Sequence, residues 1–264
     1  MGRHTHEGED AFPRAPTQEE WEAMGPEERE RVVESLPGEV TWDEMAMPEG
    51  DKHLRAKVRT LDLLEGYFSH QRRKVYIGAE LPIYYPGERR FAPDLLVVLD
   101  VETHEREKWV VSHEGKGLDW VLEVHVGGDR KKDAEHNVER YARLGIPEYF
   151  IYDRARERLE GYRLPDSGVK RYERMETKQG RYTSEVLGLE LEVVNARLQI
   201  WAGNALLLES GELVERMREK LEEVQQRVDE EARLREQEAR RREEAERRIA
   251  ELTAELERLQ HREE

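Results

Sequence analysis

Two acids stand out because each lies in or beside an apolar run. Phe91-Ala92-Pro93-Asp94-Leu95-Leu96-Val97-Val98 carries Asp94 where the run begins, and Trp120-Val121-Leu122-Glu123-Val124-His125-Val126 is interrupted by Glu123. Short, β-branched apolar runs of this kind read as strands buried on both faces. An ionised carboxylate there costs several kcal/mol unless it is paired or binds a cation. Two such acids at the ends of neighbouring strands are hard oxygen ligands for a divalent ion such as Mg²⁺. The bland alternative makes Asp94 a turn residue and pairs Glu123 with a nearby arginine.

Other candidates attach to the same stretch. His125 has the chemistry of a general base or metal ligand, against the structural role that a lone histidine on a strand more often has. Glu80 falls on a strand preceding Asp94, either as an auxiliary ligand or as an exposed sheet acid. His53 opens a long helix, where capping or surface exposure is the simpler reading. Lys131 and Lys132 fall on the first turn of the helix after Glu123 and read as solvated. Tyr141 and Tyr149 read as core residues with hydrogen-bonded hydroxyls.

The elements that must position these residues follow from local pattern. Thr17-Gln18-Glu19-Glu20 has capping-box spacing and opens a short helix with Trp21 inward. Pro26 starts a second helix, running to about Leu36. Glu39–Trp42 reads as a short strand. From His53 to Phe68, the apolar residues Leu54, Val58, Leu61, Leu64, Tyr67 and Phe68 predict an amphipathic helix. Val75–Ile77 and Glu80–Tyr85 predict a strand pair or one bent strand, and Trp109–Val111 a further short strand. After Glu123, Gly127-Gly128 breaks the strand and Asp129 caps a helix that places Asp133, Asn137 and Tyr141 on one stripe. Gly145 stops that helix and Pro147 prevents its continuation. Tyr149–Tyr152 returns as a buried strand, followed by short strands at Leu159–Leu164, Lys170–Met175, Tyr182–Val186 and Leu189–Val193. A crossover helix between strands demands parallel neighbours, so the expected fold is α/β, a mixed sheet flanked by helices.

Composition sets limits. The chain has 264 residues, no cysteine and a formal net charge of −16. Thiolate nucleophiles, disulfides and zinc–cysteine sites are therefore excluded. No apolar run approaches the roughly 20 residues of a membrane span, which points to a soluble, cytoplasmic protein. The acidic balance opposes a broad, non-specific grip on duplex DNA, although a local basic patch or a bound metal can supply positive field. Residues 1–16, with scattered charge, Gly and Pro, are expected to be disordered. From about Gly211 the composition shifts. Met217, Leu221, Val224, Val228, Ala245, Ile249, Leu252, Leu256 and Leu259 fit one seven-residue repeat, with Glu231, Arg235, Glu238 and Arg242 in the same register between them. That predicts a C-terminal helix over 210–264, either a coiled coil that makes the chain a homo-oligomer or a solvated single helix. The α/β domain then spans 17–209.

Pro93-Asp94 followed by Glu123-Val124-His125 resembles the PD-(D/E)xK nuclease pattern. With Asp133, Tyr141-Ala142-Arg143-Leu144-Gly145-Ile146-Pro147-Glu148-Tyr149, Gly161-Tyr162-Arg163-Leu164 and Tyr182 to Leu189, the chain is similar to the Uma-type restriction-endonuclease-like branch, over Thr17 to about Glu212. The resemblance implies a restriction-endonuclease-like domain that hydrolyses DNA phosphodiester bonds. It implies Asp94 and Glu123 as ligands of Mg (or Mn), with the carbonyl of Val124 or His125 completing the site. Two departures accompany it. Where the superfamily has a lysine two residues after the glutamate, this chain has His125. Where the Uma-type branch carries its lysine on the following helix, this chain has Asn137, which cannot supply an ammonium's charge. The alternative function is therefore a binding or assembly module that has lost turnover and oligomerises through its coiled coil.

Overall fold

The computed structural model describes residues 13–39, 50–71, 73–127, 131–166 and 168–263. The chain divides into two compact units, Met1–Glu209 and Ser210–Glu264. Expectations on residues 1–12, on the strand at Val40–Trp42, and on Gly128 and Asp129 lie outside the described residues.

The first unit opens with α1 (Gln18–Ala23), α2 (Pro26–Ser35) and α3 (Asp51–Ser69). Thr17 and Glu20 form the reciprocal capping box at the start of α1, and Pro26 takes the first position of α2. Strands β1 (Val75–Gly78), β2 (Ile83–Tyr84), β3 (Leu95–Leu99) and β4 (Trp109–Val110) follow, then α4 (Val111–Glu114), β5 (Trp120–His125), α5 (Lys131–Leu144) and β6 (Glu148–Asp153). The unit ends with β7 (Arg158–Arg163), β8 (Glu173–Arg174), β9 (Tyr182–Ser184), β10 (Leu189–Val194), β11 (Arg197–Ala202) and β12 (Ala205–Leu206).

The main sheet has strand order β1-β3-β5-β6-β7-β8. Only β5 and β6 run parallel, joined by the α5 crossover, and the other pairs are antiparallel. The mixed α/β architecture is therefore the one the patterning predicts. Every residue of β3 is buried, because both faces of the sheet are covered. On one face α3 and a four-stranded antiparallel sheet, β12-β11-β10-β9, pack against Leu95, Val97, Trp120, Leu122 and Val124. On the other, residues of α5, β2 and β4 pack against Leu96, Val98, Val121, Tyr149 and Ile151.

Four local expectations change. Glu80–Tyr85 is not a partner of β1: β2 pairs in parallel with β4, and Glu80 sits in a bend with φ 53°. The strand expected from Phe91 begins at Leu95, since Pro93 has no N–H for a ladder, and Phe91 makes only an isolated bridge to Ile83. Pro13–Pro16, assigned by composition to the disordered start, is ordered by bridges from Arg14 to Arg89 and from Ala15 to Pro86. The inner face of α3 is Ala56, Lys57, Thr60, Leu63, Leu64 and Phe68, whereas Leu54 and Val58 are more than half exposed.

The second unit is one helix, α6 (Ser210–Glu263). Among its described apolar residues, Met217, Leu221, Val228 and Ile249 are exposed. Among the described residues no helix is long and apolar enough to cross a membrane.

Candidate functional site

The antiparallel register of β3 on β5 brings the two acids together. Leu95 faces Leu122, so the next positions outward are Asp94 and Glu123. Asp94 N–H donates to Glu123 Oε2 at 3.4 Å, and Val124 N–H donates to Asp94 Oδ2 at 2.8 Å. Within β5, Glu123 falls on the α5 face while Leu122 and Val124 point to α3. There the Tyr141 hydroxyl donates to Glu123 Oε1 at 2.8 Å. Tyr141 is fixed in turn by the end of α5. Gly145, at φ 80°, lets the chain turn back so that Ile146 N–H donates to the Tyr141 carbonyl at 3.1 Å. This is the glycine-terminated helix end that the sequence predicts.

Asp94 is also held from α3. His53 Nε2 donates to Asp94 Oδ2 at 3.1 Å, and Lys57 Nζ lies 3.4 Å from Asp94 Oδ1. His53 therefore neither caps α3 nor lies on its surface; Gly50 is the N-cap and the His53 side chain is 12% exposed. Lys57 is buried and forms an ion pair with Glu80 as well.

The electrostatics drive the two acids apart. Burial raises the Asp94 carboxyl, but the His53 hydrogen bond and charge, the Val124 N–H and the Lys57 charge together hold it below the ordinary aspartate value. Burial and the Asp94 charge push Glu123 up to about 8, against the lowering effect of the Tyr141 hydroxyl and the Asp94 N–H. Burial and the Glu123 charge raise Tyr141, which therefore remains a protonated donor. Among the described residues no cation lies within ion-pair distance of Glu123. The arginine partner of the bland reading is absent there.

Two adjacent carboxyls, one of them pushed towards its protonated form by burial and then by its neighbour's charge, suit a divalent cation. Among the described residues no group of three or more His, Cys, Asp or Glu side chains is placed to hold a metal. A Mg²⁺ site needs only one or two carboxylates, since water and phosphate oxygens fill the remaining positions. On that donor set the residues fit the ion.

The remaining candidates fall around this pair. Glu80 does not touch either acid directly; it reaches Asp94 through Lys57. His125 is on the same strand face as Glu123 but stands opposite Asp153; burial raises the Asp153 carboxyl, but Arg156, with a smaller part from the His125 charge, holds it below the ordinary aspartate value. The His125 carbonyl accepts Arg154 N–H at 2.8 Å. Asn137 is half-buried on α5, and among the described residues no hydrogen bond joins it to Asp94 or Glu123. Sequence reasoning missed Lys57 altogether and misplaced His53.

Over residues 18–198 the sequence matches the family described as "Uma2: Putative restriction endonuclease". Among solved structures it is similar to a putative nuclease belonging to DUF820 from Anabaena variabilis ATCC 29413. The identity is 16% and the TM-score 0.42, over 54% of this chain and 76% of that one. No curated protein matches.

Proposed function

The chain belongs to the Uma2 putative restriction endonuclease family, and from that premise we propose that it is a divalent-metal-dependent endonuclease acting on DNA. One observation carries the reading: Asp94 and Glu123 adjoin, and among the described residues Glu123 has no cationic partner of its own. Asp94 and Glu123 would hold the ion. Bound there, Mg²⁺ or Mn²⁺ would supply an activated water and neutralise charge developing on the phosphate. His53 and Val124 N–H fix the direction of the Asp94 carboxylate. Tyr141 fixes that of Glu123. Hydrogen bonds of this outer kind hold ligands in orientation and keep them ready without rearrangement.

The experiment is cleavage of single- and double-stranded DNA with Mg²⁺ or Mn²⁺, comparing the wild type with Asp94→Ala and Glu123→Ala. Metal-dependent cleavage lost in both variants supports the proposal. Cleavage unchanged in both would dismiss this site. A binding or assembly module is the second reading, favoured by neutral Asn137 where the related branch has its lysine. Metal-independent DNA binding without turnover would establish it.

The exposed apolar stripe on α6, from Leu213 to Leu252, supports self-association as a coiled coil with a charged middle. Sedimentation of the whole chain should give a mass above the monomer, and a chain ending at Glu209 should sediment as a monomer. A monomeric whole chain would remove the coiled coil.

A further inference from the structure

Lys57 occupies a core position. It lies on the helical stripe that continues through Thr60, Leu64 and Phe68, where an apolar side chain would bury more cheaply than an ammonium. Its side chain is 7% exposed. The free-energy cost of that burial is met by two carboxylates of different character. Glu80 makes the close contact, although its own side chain is 60% exposed. Asp94 Oδ1 stands off at 3.4 Å, outside the range of a good N–H···O bond.

The two oxygens of Asp94 are used differently. Oδ2 accepts both His53 Nε2 and Val124 N–H. Oδ1 lies beside the loosely placed Lys57 ammonium. A lysine ammonium has three N–H donors; Glu80 takes one, and Asp94 engages a second weakly. Glu80 itself is set by unusual backbone. It adopts φ 53° without being glycine, and its N–H donates to the Pro93 carbonyl at 3.0 Å, one residue before Asp94. A strained residue tied to the chain beside the acid, and gripping Lys57 beside it, suggests positioning.

We propose that Lys57, anchored by Glu80, is the protein cation that contacts the reacting phosphate, supplied from α3 and not from β5 or α5. Its ammonium donates to a non-bridging phosphate oxygen. Glu80 is a positioning residue that keeps Nζ beside Asp94 Oδ1. This rests on the nuclease reading and adds the source of positive charge that His125 and Asn137 leave unassigned.

The test uses the full chain as wild type, Lys57→Met, Lys57→Arg and Glu80→Gln. Cleavage of a mixed-sequence oligonucleotide is measured alongside Mn²⁺ binding by calorimetry. Lys57→Met should lower kcat by about 100-fold or more, the scale of losing one donor to developing charge. Mn²⁺ should bind Lys57→Met as tightly as the wild type or more tightly, because no ammonium then competes for Asp94. Lys57→Arg should recover part of kcat, and Glu80→Gln should lose less than Lys57→Met. Should Lys57→Met fail to fold, Lys57→Arg and Glu80→Gln decide the matter by the same split between kcat and Mn²⁺ affinity. Unchanged kcat in Lys57→Met would overturn the proposal. So would a parallel loss of kcat, Mn²⁺ affinity and thermal stability that Lys57→Arg does not relieve. No metal-dependent cleavage by the wild type would overturn this proposal together with the nuclease reading, whereas an active wild type and an equally active Lys57→Met would overturn this one alone.

Discussion

Glu123 and Glu148 lie on neighbouring parallel strands and have opposite surroundings. Glu148 begins β6, opposite Trp120, and is 1% exposed. Arg163 donates to its Oε1 from Nε at 2.9 Å, Glu185 N–H donates to the same oxygen at 2.8 Å, and Ser184 Oγ donates to Oε2 at 2.5 Å. Arg163 also donates to Glu185 Oε1 at 2.7 Å. Glu148 thus ties the main sheet to the turn after β9. Glu123, by contrast, has a tyrosine, a backbone N–H and another acid. A buried carboxylate provided with its own arginine is complete and holds the fold. One provided with only neutral donors is complete only when a further cation arrives.

That contrast predicts separable effects. Glu123→Gln should abolish at least about 99% of metal-dependent cleavage, on the scale of losing a group that stabilises the transition state, while Glu148→Gln keeps the activity of each folded molecule. A kinetic assay normalised to folded protein checks both, and equal losses would erase the distinction. Glu148→Gln should instead destabilise the first unit by about 2–3 kcal/mol, since Arg163 is left without its buried partner but is itself partly exposed. Urea unfolding of both variants measures this.

The titration of Glu123 sharpens the comparison. Its folded carboxyl, raised to about 8 from 4.5, keeps a proton that the unfolded chain releases. The contribution to stability is therefore full below the unfolded value, declines as pH rises through the interval, and is flat above about 8. Glu123→Gln should remove that decline and be more stable than the wild type at pH 9. Melting curves from pH 5 to 9 in the absence of divalent ions would show it, and a wild type whose decline persists in Glu123→Gln would place the titration elsewhere. The smallest effect is expected for Tyr141→Phe. Losing one donor to Glu123 should weaken Mn²⁺ binding by about 10-fold, measurable by calorimetry, with the β-sheet intact.

Much of this was legible in the sequence where a single signal dominated. An acid in an otherwise apolar run needs no context to be conspicuous, which is why Asp94 and Glu123 stood out. Gly145 and Pro147 likewise ended α5 by backbone chemistry alone. The α3 contribution was hidden because the apolar residues Leu54 and Val58 suggested the wrong inward face. Running the Leu64 and Phe68 stripe backwards in steps of three and four leads through Thr60 and Lys57 to His53, a polar end to an apolar face. The four-stranded sheet was only partly anticipated. Its β10–β11 hairpin turns at Asn195-Ala196, both at positive φ, and alanine there gives none of the glycine signal that usually marks such a turn.

The meeting of Asp94 with Glu123 is a matter of phase along β3 and β5. Since consecutive side chains alternate between faces, inserting one residue between Trp120 and Leu122 would swing Glu123 towards α3, away from Tyr141, while leaving the helices untouched. Lengthening the connection between Asp100 and Lys108 would leave that phase alone. The chemistry of this chain is thus written in odd and even positions along β3 and β5, and a one-residue slip within the pleat would silence it.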